Sequence, residues 1–202
     1  MGYRSLRVAV FVVLGLLLAS PARALEAAAA EAVVRSAVAD ASAAFEGGPF
    51  SRDEKRARVS RLVEKYVDLS FESELLLGRH WRKASPERRR TFTELLIPFF
   101  VSTYGSMVDS AKVTPEVEVV GSQPGGGAVV VVHTLLKTPG ETPVTVDWTV
   151  TGLETGRTVI TDLVAQDIGL VTTLKADFTA VIRSAGGDIE ALFAAMRRKI
   201  TG

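Results

Sequence analysis

Two histidines and no cysteine leave this chain of 202 residues few ways to build a reactive centre. His133 is the better candidate. An antiparallel hairpin turning about Gly140 sets it opposite Asp147, with Asp162 further along the chain. An imidazole held by a carboxylate is the proton-transfer dyad that dehydratases and isomerases use. The same register puts the pair on a polar sheet face, away from the oily face that would enclose a substrate, so a solvent-facing ion pair accounts for it better. The sequences H-E-x-x-H, G-x-S-x-G and G-x-x-x-x-G-K-[ST] do not occur. His80, His133 and scattered carboxylates show no metal-ligand spacing. The expectation is a protein that is not an enzyme and holds no metal or cofactor.

The residues that remain to explain are apolar, and the chain's organisation says where they act. Arg4 and Arg7 precede an apolar run, Val8 to Ala19, too short to span a bilayer, which needs about 20 residues. Pro21-Ala22-Arg23-Ala24 follows as an A-x-A cleavage site, so residues 1–24 read as a cleaved signal peptide and 25–202 as a single domain. Cleavage takes three arginines and no acid from a balance of 24 basic and 23 acidic side chains. The remainder is slightly acidic, against a general nucleic-acid binder. A domain of this size needs no disulfides for its core. Without a cysteine to carry lipid, the exported protein is expected to diffuse freely in the periplasm.

Residues 26–45 read as an Ala-rich helix ended by Gly47-Gly48-Pro49. Ser51-Arg52-Asp53-Glu54 is a capping-box sequence opening a helix with Val59, Leu62, Val63 and Tyr66 at helical spacing. A short helix from about Ser70 to Leu77 closes at Gly78, and Ser85-Pro86-Glu87 opens the next. That helix, roughly 86–108, carries Phe92, Leu95, Leu96, Phe99, Phe100, Tyr104, Met107 and Val108 as a wide stripe, with Ile97 and Val101 off it. A helix apolar on most sides is buried on most sides. Pro98 removes one backbone bond in its middle.

After Lys112 the period becomes that of strands: Val117–Val120, Ala128–Leu136, Val144–Thr151 and Thr158–Val164, with turns at 121–127, 137–143 and 152–157. Connections this short imply an antiparallel meander. Two helices follow, from Gly169 to about Ser184 and from Asp188 to Arg197-Arg198-Lys199. The fold class is therefore α+β, with helices wrapped on one face of a curved four-stranded antiparallel sheet.

Val144, Val146, Trp148 and Val150 point one way along their strand and the threonines and Asp147 the other. The hairpin about Gly140 pairs Val132 with Trp148 and Val130 with Val150, extending the oily face. That face is expected to confront the helix that holds Pro98. The pattern alone favours a filled core over a cavity, since most aromatic stripes are packing. Arg79, Arg82, Lys83, Arg88, Arg89 and Arg90 form a basic segment, read either as a solvated loop and helix start or as a docking patch for acidic partners.

The stretch Leu77-Gly78-Arg79-His80-Trp81-Arg82-Lys83-Ala84-Ser85-Pro86-Glu87-Arg88-Arg89-Arg90-Thr91-Phe92 resembles the MlaC family, the toluene-tolerance auxiliary transport proteins. An L-G-x-x-W element, a short basic loop and an arginine-rich turn lead to a phenylalanine, then to a leucine-rich helix with the pair Thr103-Tyr104. Leu62, Val63, Val67 and Asp68 fit the lead-in; Val146-Asp147-Trp148, Asp162, Leu170-Val171 and Phe178 fit the family downstream. The resemblance covers about residues 30–198. The chain departs from it at Asp167-Ile168-Gly169, at Lys175 and at Gly156-Arg157-Thr158. A hopanoid-associated branch of the same superfamily therefore stays open, with the same fold and a different ligand.

The resemblance implies an NTF2-like fold and a soluble periplasmic carrier, here a monomer. Such a carrier moves phospholipid between an outer-membrane lipoprotein complex and an inner-membrane ABC transporter complex. It favours cavity over core. The expected lining is Leu76, Phe92, Leu96, Phe99, Phe100 and Tyr104 from helices, and Val130, Val132, Val146, Trp148 and Val150 from the sheet. Tyr104 is expected near the mouth, where its polar tip reaches water.

Overall fold

A computed structural model describes residues 25–110 and 116–202. The signal peptide expected at 1–24 and the side chains of Met107 and Val108 lie outside what it describes. Five helices come first: α1 (Ala27–Phe45), α2 (Arg52–Tyr66), α3 (Leu69–Leu77), α4 (Arg79–Lys83) and α5 (Pro86–Ser110). The sheet follows as β1 (Glu116–Gly126), β2 (Val129–Lys137), β3 (Val144–Gly152), β4 (Thr158–Ala165) and β5 (Ile168–Gly169). Helices α6 (Leu170–Ser184) and α7 (Ile189–Thr201) end the chain. Among the described residues, no helix is long and apolar enough to cross a membrane.

The helix signals act as their chemistry requires. The Ser51 side chain accepts from the Glu54 amide, and the Glu54 carboxylate accepts from the Ser51 amide at 2.8 Å, which completes the capping box. Asp68 caps α3 by accepting from the amides of Ser70 and Phe71. Gly78 ends α3 at a φ of 51°, left-handed backbone that a residue with a Cβ adopts only with strain. The basic stretch expected as a loop is instead a turn of helix, α4. Its end is held by Arg89, whose Nε donates to the Trp81 carbonyl at 3.0 Å while the guanidinium lies over the Trp81 ring. Arg88 pairs with Glu190 of α7 at 2.9 Å.

The strands run in sequence order, all antiparallel. The β2–β3 register is the expected one: Val132 faces Trp148, Val130 faces Val150, and His133 faces Asp147. Three differences stand out. A short fifth strand is added at Ile168–Gly169. The turn expected at 121–127 shrinks to Gly127 and Ala128, because β1 continues to Gly126 through two register shifts. As an edge strand it tolerates Pro124 on its unpaired side. In β4 a bulge opposite Thr149 and Val150 makes Thr161 an extra residue, and Val159, Ile160 and Thr161 are all buried in succession.

The apolar material gathers in three places. Helices α3, α5, α6 and α7 enclose the largest cluster, with Phe92, Phe178, Ile182, Leu192, Phe193 and Met196 at its centre. A second cluster lies between α1 and the sheet, where Ala30 and Val34 meet Val130, Val132 and Val150. A third, smaller group joins Ala37, Tyr66 and Ile160. Thus the helix on the strands β1 to β3 is α1, not the helix with Pro98 as expected. Alanine-rich α1 has side chains short enough to sit close on the valines, so the long aromatics of α5 stand further off.

Candidate functional site

What α5 leaves uncovered is a hollow. An inner chamber of about 280 Å³ lies among α1, α2, α3, α5, α6, β3 and β4. Its walls are Ala37 and Ala41 of α1, Val59, Leu62, Val63 and Tyr66 of α2, and Leu69, Glu72 and Leu76 of α3. Leu96, Ile97, Phe99 and Phe100 of α5 close one side; Trp148, Ile160, Thr161, Asp162 and Leu163 close the sheet side, with Leu170, Val171 and Leu174 of α6 beside them. An outer chamber of about 590 Å³ adjoins it, lined by Phe45, Lys55, Val101, Tyr104, Ala165, Ile168 and Thr173. Val59, Phe100, Leu163 and Leu170 belong to both chambers. The outer volume lies within the range of small-molecule sites, ~300–1,000 Å³, and the inner one just below it.

Local sequence explains why each wall faces inward. The 3.6-residue repeat of α2 turns Val59, Leu62, Val63 and Tyr66 to one side. In β4 the bulge breaks alternation, so four successive residues, Ile160 to Leu163, border the hollow. Trp148 is fixed in the wall by its indole N–H, which donates to Thr134 Oγ1 at 2.9 Å; that hydroxyl in turn donates to the Val146 carbonyl. Tyr66 presents its ring inward while its hydroxyl donates to Asp40 at 2.7 Å. Burial and the Asp40 carboxylate hold its phenol above the ordinary range.

Of the residues expected to line a pocket, the structure brings six together at the hollow. Leu76, Leu96, Phe99 and Trp148 line the inner chamber, Phe100 both, and Tyr104 the outer. The rings of Phe100 and Tyr104 lie 4.9 Å apart. Five others do not line either chamber. Phe92 is fully buried between Phe178 and Phe193, with ring centroids at 5.7 and 6.4 Å. Val130, Val132 and Val150 are packed beneath α1, and Val146 lies further along β3. Sequence reasoning missed most of α1, α2, β4 and α6 as walls. The repeat of α2 was visible as a signal; the bulge of β4 was not.

Glu72 is the other residue missed. It is 8 % exposed, its Oε1 is buried without a hydrogen-bond partner, and it borders the inner chamber. Burial first, then the carboxylates of Asp162 and Asp68, push its pKa up to about 8.

The candidate dyad is formed but stands apart. His133 Nδ1 and Asp147 Oδ1 are 2.8 Å apart, and neither residue borders a chamber. Asp162 does border one, but its Oδ1 accepts from the amides of Leu163 and Val171, tying the end of β4 to the start of α6.

Comparison with known proteins agrees with this architecture. Residues 31–198 match the family described as MlaC protein. No curated protein matches the chain. Among solved structures, the chain is similar to a phospholipid-binding protein from Ralstonia solanacearum determined in complex with a phospholipid. The two share 25% identity at a TM-score of 0.69, over 85% of this chain and 97% of that one.

Proposed function

The chain belongs to the MlaC family, and from that premise we propose that it is a lipid carrier whose hollow holds phospholipid acyl tails. The observation that carries this reading is the pair of adjoining chambers, which share four wall residues and are walled almost wholly by aliphatic and aromatic side chains. In this reading the tails occupy both chambers and the headgroup stays outside.

Energetics explain why such a protein is needed. Each methylene transferred from water to an apolar site contributes about 0.8 kcal/mol, so two long tails hold a lipid in its bilayer by roughly 20 kcal/mol. A carrier lowers that barrier by offering an equally apolar environment. No bond is made or broken, and no cofactor takes part. On this account the protein works as a monomer in the periplasm, passing lipid between an outer-membrane lipoprotein complex and an inner-membrane ABC transporter complex. The phospholipid bound by the Ralstonia protein supports phospholipid as ligand.

Native mass spectrometry of protein purified from its own periplasm, followed by lipid extraction, tests the reading. Copurified glycerophospholipid at about one per chain is the expected result. A hopanoid would keep the carrier and change its cargo. A lipid-free protein that takes up no lipid from vesicles would overturn the proposal.

A further inference from the structure

Helix α3 sets one carboxyl into a wall that is otherwise built for hydrocarbon. Glu72 has more than nine-tenths of its surface buried, and its Oε1 has no hydrogen-bond partner. The other polar groups of the wall are engaged: the Tyr66 hydroxyl with Asp40, the Thr161 hydroxyl with Thr151 at 2.9 Å, and Asp162 with two amides. Among the described residues, no lysine, arginine or histidine lines the inner chamber. The charged groups acting on Glu72 are themselves carboxylates, Asp162 of β4 and Asp68 at the start of α3. With its pKa near 8, Glu72 is a neutral carboxylic acid at pH 7. In that form it has an O–H to give, and its buried Oε1 meets no hydrogen-bond partner in the wall.

A leucine or methionine at this position would complete the wall without burying an unpaired polar atom. The acid therefore costs the empty protein stability, which a bound group able to share its hydrogen bond would restore. A hydrocarbon chain has none, but a lipid carries oxygens at the head of its chains and sometimes along them.

Resting on the carrier reading above, we propose that Glu72 is the polar recognition point of the hollow, donating a hydrogen bond to an oxygen of the bound lipid. The acceptor is an ester carbonyl or a chain hydroxyl, and matched lipid pairs separate the two. Asp162, the carboxylate facing Glu72 from β4, is adjacent in the chain to Leu163, a wall of both chambers.

Binding should be measured at pH 7 on delipidated wild type, Glu72→Gln and Glu72→Leu. One pair of probes is dipalmitoyl phosphatidylglycerol and its dihexadecyl ether analogue; the other is the same diester with and without a hydroxyl on the chain. Wild type should prefer the member with the additional carbonyl or hydroxyl in one pair by roughly tenfold, the size of one well-made hydrogen bond. Glu72→Gln, which keeps a donor, should retain most of that preference. Glu72→Leu should bind both members and prefer neither. A wild type without preference in either pair, or a preference undiminished in Glu72→Leu, overturns the assignment while leaving the carrier intact. A wild type that binds none of the four lipids overturns the carrier reading itself.

Discussion

The two ends of α5 are made of the same kind of residue and meet opposite fates. Before Pro98, Phe92 is sealed among Phe178, Leu192 and Phe193 and has no exposed surface. After it, Phe100 and Tyr104 stack on each other and border open space. The difference lies across the gap. Helices α6 and α7 bring large side chains to the first end, and α7 is the helix packed most extensively on α5. Towards the second end, α2 and β4 present Val59 and Leu163, which leave the space between them unfilled. An aromatic stripe fills or lines according to what the opposite element delivers. The sheet repeats the lesson, with β2 covered by α1 and β4 left to face the hollow.

The contrast can be broken at its sealed side first. Val132→Asp puts an unpaired carboxylate where no surface is exposed beneath α1. The cost of several kcal/mol is comparable with a whole domain's stability, so circular dichroism should show loss of the fold. Phe92→Ala should remain folded but lose about 3–5 kcal/mol in urea denaturation. Phe100→Ala, beside space already empty, should lose less than about 2 kcal/mol, and lipid retention should fall in proportion far more. Equal stability losses at Phe92 and Phe100 would erase the distinction between the ends.

Glu72 sharpens it through pH. Its carboxyl titrates at the ordinary 4.5 when unfolded and at about 8 when folded. Between those values the folded chain holds a proton that the unfolded chain has released. The contribution of this group to the stability of the lipid-free protein should therefore be fullest below pH 4.5, fall as pH rises toward 8, and level off beyond. The slope from this one group is about 1.4 kcal/mol per pH unit. Glu72→Gln should remove it, as the difference between the two urea titrations will report. The smallest effect is expected at His133, whose side chain is 28% exposed and whose partner Asp147 is 34% exposed. His133→Ala should change stability by no more than about 1 kcal/mol and leave lipid content unchanged.

Much of this was legible in the residues, and the failures are instructive. Capping chemistry marked α2, α3 and α5, and Gly140 fixed the register that joins Val132 to Trp148. Helical period in α2 even exposed one wall. Hidden from the sequence was the choice of which helix lies on which strands, because Ala-rich α1 and the aromatic stripe of α5 both present apolar faces. That choice moved Val130, Val132 and Val150 from the expected lining to a sealed seam. The bulge at Thr161 was hidden too, since it depends on pairing with Thr149 and Val150 rather than on any local residue. Glu72 carries no signal in the sequence, being one acid among 23; only folding gives it apolar surroundings.

The most direct test of the central claim is a crosslinking map. A phospholipid with a photoreactive group at the end of one tail would be loaded into the protein, irradiated, and the attachment sites read by peptide mass spectrometry. Attachment at the walls of the inner chamber, such as Leu62, Trp148 and Leu174, is the predicted result. Attachment confined to the outer surface, or to the seam of Val34 and Val132 beneath α1, would contradict it.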